Sequence, residues 1–176
     1  MTTDQRIENL ERELAALRAE LAQRVRTRTV EVVDDAGKTR ARLVVLADKP
    51  GLALYDAAGE TRAVLNVDAD GPRLVLADAA GKARAGLAVN ADGPGLALYD
   101  AVGDTRAFLH MGAAGPSLDL YDAAGKMRAN LAVLAGGPGL RLGDAAERTR
   151  ALLVVRTDGP GLALADAAGK TIWRAP

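Results

Sequence analysis

The chain reads as a mainly β protein: a 22-residue repeat building a β-prism-like or β-solenoid-like shaft, preceded by a short parallel coiled-coil helix, with three chains together. Three observations carry that reading. Arg40, Arg62, Arg84, Arg106, Arg128 and Arg150 stand 22 residues apart, and so do Pro50, Pro72, Pro94, Pro116, Pro138 and Pro160. Within each copy, leucines that never change alternate with positions that change freely, which is the period of a strand with one buried face. At the N-terminus the apolar spacing switches to threes and fours, the period of a helix seam.

The helix comes first. Thr2 and Gln5 match a capping box, in which hydroxyl and amide each satisfy an orphan N–H of the first turn. Ile7, Leu14 and Leu21 then occupy heptad position a, and Leu10 and Leu17 position d. A segment of this length is marginal alone in water, so it needs partners. In a parallel coiled coil Arg6 meets Glu11 of a neighbour and Glu13 meets Arg18, and both pairs are complementary. Residues 1–24 are therefore expected to be an oligomerisation helix ending near Arg24, carried by Arg6, Ile7, Leu10, Glu11, Glu13, Leu14, Leu17, Arg18 and Leu21. The competing reading is a solvated amphipathic helix lying on the β domain, which a wider apolar stripe would favour.

Residues 25–176 hold about seven repeats. Leu43, Leu65, Leu87, Leu109, Leu131 and Leu153 are constant, as are the series starting at Leu52 and at Leu54. Between them one slot holds Val64, Gly86, Phe108, Asn130 and Leu152, and another holds Ala53, Val75, Ala97, Asp119 and Arg141. Each repeat thus contains two strands, Arg-Ala-x-Leu-x-Val and Leu-x-Leu-x-Asp. Turns fall at Asp56-Ala57-Ala58-Gly59 and its copies, where Asp accepts turn amides and Gly takes positive φ. The copy at Asp144 has Glu147 instead of Gly and must strain or change type. A second turn carries Gly-Pro, with the proline limiting strand pairing. Ile172-Trp173 breaks the Arg-Ala formula, and Trp173 is expected to cap the array.

The turn register raises a difficulty. A three-residue hairpin with a glycine bulge sets Leu54 opposite Arg62 and puts the leucine series on opposite faces. Sending consecutive strands to different sheets, as in a β-prism whose axis three chains share, removes the conflict. A parallel solenoid is the rival, but it stacks Asp56 on Asp78 and Arg62 on Arg84 at about 4.8 Å. A membrane barrel would put Asp119, Asn130 and Arg141 toward lipid. Two strands per repeat predict a shaft of about 65 Å, and one strand per repeat about 34 Å.

Composition excludes more chemistry than it offers. The 23 Lys+Arg balance 23 Asp+Glu along the whole chain, which argues against a nucleic-acid partner. Cysteine is absent and His110 is the only histidine, so neither a thiolate metal site nor a histidine cluster forms within one chain. His110 reads as a surface residue. Asp68-Ala69-Asp70-Gly71 imitates a fragment of a calcium loop but reads as a turn. The recurring Asp56/Arg62 type of pair reads as an ion pair at the turns. No cofactor, metal, catalytic residue or membrane insertion is expected, and the protein is not expected to be an enzyme. No apolar run reaches the length of a signal-peptide core, so a cytoplasmic or particle-associated location is the expectation. One cluster could recognise a glycan or protein: Tyr99, Phe108, His110 and Tyr121, aromatic residues in slots that hold Ala or Asn elsewhere. Packing against a neighbouring strand or chain is the plainer account of them.

The stretch Arg6-Ile7-Glu8-Asn9-Leu10-Glu11 resembles the Arg-apolar-x-x-apolar-Glu motif of three-stranded parallel coiled coils. A short coiled coil followed by a strictly periodic β shaft is similar to trimeric fibre proteins such as phage tail fibres and bacterial adhesin stalks. That resemblance implies a structural homotrimer, the helix setting register and the repeats forming a rigid spacer. Tyr-Asp-Ala-Ala-Gly is also similar to the YD repeats of toxin shells over a few residues per copy, and no shell function is carried over.

Overall fold

The computed structural model describes residues 2–23 and 27–175, without the side chains of residues 19–23. The chain divides into two compact units, Met1–Val30 and Glu31–Pro176. The first contains helix α1, Thr3–Gln23. Its capping box is formed: Thr2 N donates to Gln5 Oε1 at 2.9 Å and Gln5 N to Thr2 Oγ1 at 3.4 Å. The end expected near Arg24 and the side chain of Leu21 lie outside the described residues.

The rest is one antiparallel sheet of fourteen strands in chain order. They are β1 Thr29–Val33, β2 Thr39–Leu46, β3 Lys49–Tyr55, β4 Thr61–Asp68, β5 Gly71–Ala77, β6 Ala83–Asn90, β7 Gly93–Tyr99, β8 Thr105–Gly112, β9 Gly115–Tyr121, β10 Met127–Leu134, β11 Gly137–Gly143, β12 Thr149–Arg156, β13 Gly159–Ala165 and β14 Thr171–Ala175. Two strands per repeat is the arrangement the alternation predicts. Among the described residues from β2 onward, each strand contacts only its neighbours in sequence. The expectation that successive strands join different sheets is corrected, and so is the parallel solenoid, because every ladder is antiparallel.

A bulge resolves the register conflict. Asp56 N donates to Glu60 O and Gly59 N to Asp56 O, which makes the glycine hairpin. Leu54 nevertheless pairs with Ala63 while Tyr55 pairs with Thr61, so Arg62 is an extra residue on its strand. The shift returns at Arg84, Arg106, Arg128 and Arg150. In a regular ladder one added residue moves every side chain beyond it to the other face; taken up in a bulge, it does not. The constant leucines therefore share a face, because the bulge takes up the arginine that would otherwise separate them.

Both turn types obey φ constraints. Glu147 keeps the hairpin geometry of its glycine counterparts by taking φ 60°, so that turn strains and does not change type. At the other end of the strands, two-residue turns place Gly71, Gly93, Gly115 and Gly137 at positive φ, and a Cβ there would lie 1.9–2.2 Å from a carbonyl oxygen of the adjoining strand. The first copy has Lys49 in that slot, and there Ala47 and Asp48 take the left-handed conformation instead. Pro72, the second residue of β5, pairs with Val67 of β4, but the β5–β6 ladder begins only at Arg73, so the proline limits pairing on that side.

Candidate functional site

The register sorts the side chains of the sheet into two faces. On one, Leu43, Leu52, Leu65, Leu74, Leu87 and Leu96 are successive cross-strand partners, and the same leucine row continues to Leu162. An Ala/Leu row flanks it on one side, Ala41 to Leu54 and onward to Trp173, and a Val/Pro row on the other, as in Val67 opposite Pro72. This constant face is open. Leu65, Leu87, Leu109, Leu131 and Leu153 are each about half exposed, and no large side chain of the described residues is fully buried. In α1 the seam residues Ile7, Leu10, Leu14 and Leu17 are likewise exposed. Glu11, Glu13 and Arg18 stand on its surface with Arg6.

The variable face is the more enclosed one. Its four buried residues are Ala97, Ala132, Ser117 and Asp119. Strands β6 and β7 place four small residues there, Gly86, Ala88, Gly95 and Ala97, and a shallow groove of about 300 Å³ runs over them. Tyr99 and Phe108 lie across this floor. A Cβ on Gly86 would meet the Tyr99 hydroxyl at 3.2 Å, and one on Gly95 would meet the Phe108 ring at 2.7 Å. Phe108 also stacks on His110, with ring centroids 4.6 Å apart. The structure thus brings Tyr99, Phe108 and His110 around one groove, with Arg73 at its far wall. Tyr121 does not line it; it sits beside Asp119.

A polar chain crosses β8 to β10. Ser117 Oγ is 2.7 Å from His110 Nε2, Asp119 Oδ2 is 3.2 Å from the same nitrogen, and Asn130 Nδ2 donates to Asp119 Oδ1 at 2.6 Å. Both contacts fall on the single nitrogen Nε2, so the imidazole tautomer decides whether it donates or accepts in each. In a hydrolytic triad the acid holds Nδ1 and the serine Nε2; here both crowd one nitrogen. Burial first, then the Asp119 charge and its hydrogen bond, push the Tyr121 hydroxyl up from its ordinary value. Ser117, Asp119 and Asn130 are the members that the spacing alone does not single out. Their signal was the cross-strand rows Phe108–Asp119–Asn130 and His110–Ser117; the β8–β9 ladder runs from its two-residue turn without a bulge, and only the step from Asp119 to Asn130 depends on the bulge at Arg128.

The hairpin turns make a charged edge. Six pairs, from Arg40–Asp34 to Arg150–Asp144, join the arginine that recurs every 22 residues to the turn before it. The same arginines reach the following turn: Arg106 donates to Asp122 O, Arg128 to Gly143 O at 2.8 Å and Arg150 to Ala165 O at 2.8 Å. Asp34, Asp78 and Asp122 are held below the usual carboxylate range chiefly by the amide four residues on, with the arginine assisting. For Asp100 and Asp144 partial desolvation is the largest influence and works upward, but hydrogen bonds and the neighbouring arginine outweigh it. Asp68 is occupied as a turn acceptor for Asp70 N and by Arg73 at 3.5 Å. Among the described residues no group of three or more His, Asp or Glu side chains is placed to hold a metal ion, and no helix is long and apolar enough to cross a membrane.

Comparison with known proteins adds little. No protein-family model matches the chain, and no curated protein does. Among solved structures it is similar to a TarM variant of S. aureus, crystallised with fondaparinux, α-GlcNAc-glycerol and UDP, at 10% identity and TM-score 0.38. The match covers 68% of this chain and 22% of that one. A likeness at this level carries no argument about function.

Proposed function

We propose that the chain is a structural module, a spacer or filament segment that works as a parallel homotrimer without catalysis of its own. One observation carries this most: α1 presents an uncovered a/d seam whose flanking charges suit parallel copies of itself. Burying half-exposed leucines against identical seams is worth about 25 cal/mol per Å² of apolar surface removed from water, and water offers nothing comparable. The Arg6 to Glu11 motif favours three strands over two. Self-association is the partner implied; neither nucleic acid nor a membrane is.

Sedimentation equilibrium on the full chain tests it. The expected mass is three times the 18.2 kDa of one chain. A Leu10→Asp, Leu14→Asp variant should sediment at a lower mass with its helical signal diminished. A wild type that remains monomeric at every concentration rejects the trimer.

The groove favours a second reading, a binding module that presents Tyr99, Phe108 and His110 to a glycan or protein. Glycan-array binding by the wild type, lost in a Tyr99→Ala, Phe108→Ala double variant, would support it. Absence of wild-type binding leaves those rings with their observed work of covering Gly86 and Gly95.

A further inference from the structure

We infer that the constant leucine face is the surface on which three copies of this chain meet, so that the rows of Leu109 and its equivalents lie around a common threefold axis and the groove face points outward. This rests on the trimer reading above and says which surface makes it.

Area is the first ground. A compact protein of 18.2 kDa exposes about 8,100 Å² by the usual scaling. This chain exposes 12506 Å². The excess, about 4,400 Å², is in the range of surface that obligate assemblies bury. On the sheet it is not spread evenly. From β2 to β13 the exposed large apolar residues within the strands fall almost wholly on the constant face, while the four buried positions belong to the variable one. A row of exposed leucines that runs unbroken along one side marks an interface.

Geometry is the second ground, and it bears on the number of copies. Strands such as β8 have eight residues, so each sheet is about 26 Å wide at 3.3 Å per residue. Three such sheets closed edge to edge form a triangle whose centre lies about 7.5 Å from each side, more than the 5 Å that halves the usual spacing of packed sheets. A leucine fills that extra depth and an alanine does not. The structure places leucines in the middle row, over the centre of the triangle. Alanine alternates with leucine in one flanking row, where two sheets converge at a corner and less room remains. Parallel copies put equivalent strands at one height, so each leucine of the middle row meets its own counterparts.

The occupant is a sister chain and not an unrelated apolar ligand, because the row runs without interruption from Leu43 to Leu162 with the same period as everything else in the sheet. A surface repeated at two strands per copy is matched along its whole length only by another surface with that spacing.

The absence of cysteine makes the test direct. Leu109→Cys and Leu131→Cys place one thiol each on the middle row, and Ala88→Cys places one on the opposite face. Each full-length variant is first checked for mass by sedimentation and for β content by circular dichroism, then treated with a short trifunctional maleimide. The expected result is a covalent three-chain band from either leucine variant and none from Ala88→Cys. If the variants sediment as trimers but the three-chain band appears only with Ala88→Cys, with all three, or with none, the assignment of the face is overturned while the trimer stands. Monomeric mass in the wild type overturns both. Using two leucine positions keeps the test decisive should one variant fail to fold.

Discussion

The smallest unit that decides anything here is the bulge arginine with its turn aspartate. Asp100 accepts from the amides of Val102, Gly103 and Asp104 and from Arg106 Nε at 2.6 Å, so ionisation is worth more in the fold than in the unfolded chain. The same sense holds at Asp34, Asp78, Asp122 and Asp144. Unfolded, these groups titrate near 3.8. As pH falls through that value the unfolded chain binds protons first, and the stability present above it is lost as pH drops through the lower folded values. Glu147, held down mainly by the Lys126 ammonium at 3.0 Å, acts in the same direction. The thermal midpoint should therefore be level between about pH 7 and 5 and fall below about pH 4. An Asp78→Asn, Asp100→Asn, Asp122→Asn variant should start lower and show a visibly shallower acid limb. An acid limb of unchanged steepness would remove the aspartates from the account.

At the level of the hairpin, Arg106 has two separable tasks. Its side chain ties Asp100 to the carbonyls of Asp122 and Ala123, and its backbone is the extra residue that the bulge takes up between Thr105 and Ala107. Arg106→Ala removes the first and keeps the second; the expected loss is modest, about 2–4 °C in midpoint. Deleting Arg106 removes both. Thr105 would still pair with Tyr99, and Ala107, now next in the chain, would still pair with Leu98, so the ladder closes without a bulge, the leucines keep their face and the deletion should cost little more than Arg106→Ala with its β signal intact. A loss several times larger, with a diminished β signal, would mean that the bulge backbone itself is needed for the register. This is also where the sequence was hard to read. The capping box at Thr2 and Gln5, the two strands per repeat and the constancy of one face followed from spacing, because each depends on residues close in the chain. Cross-strand neighbours did not, since a bulge built on arginine carries none of the glycine signal that usually marks one, and the wrong register led to separate sheets. The grouping of Ser117, His110 and Asp119 was hidden for a different reason, since it depends on the register set by the two-residue turn between Gly112 and Gly115, whereas Tyr99, Phe108 and His110 stood out because their slots hold small or polar residues in other copies.

The sheet as a whole is a one-dimensional array: each strand meets only its neighbours, so stability is close to a sum of identical pair terms along its length. An insertion or deletion is then judged by whether it preserves the phase of turn, bulge and face together. Excising residues 83–104 joins Lys82 to Thr105, two slots that follow one another in every copy, and removes β6 and β7 as a unit. The remaining twelve strands keep their leucines on one face, and the new neighbours β5 and β8 meet in the register β5 now has with β6. The variant should fold, give the same mass ratio to its own chain as the wild type, and shorten the sheet by two strand spacings, about 10 Å, in electron micrographs or small-angle scattering. It also removes Gly86, Ala88, Gly95, Ala97 and Tyr99, so any ligand binding that depends on the groove should disappear while assembly survives. Removing β7 and its hairpin alone would bring two strands of the same type together, bulge against bulge, and should give aggregated or unfolded protein. If the two excisions behave alike, stability does not come from a phase shared by neighbouring repeats, and the sheet needs a core that this chain would have to find in another way.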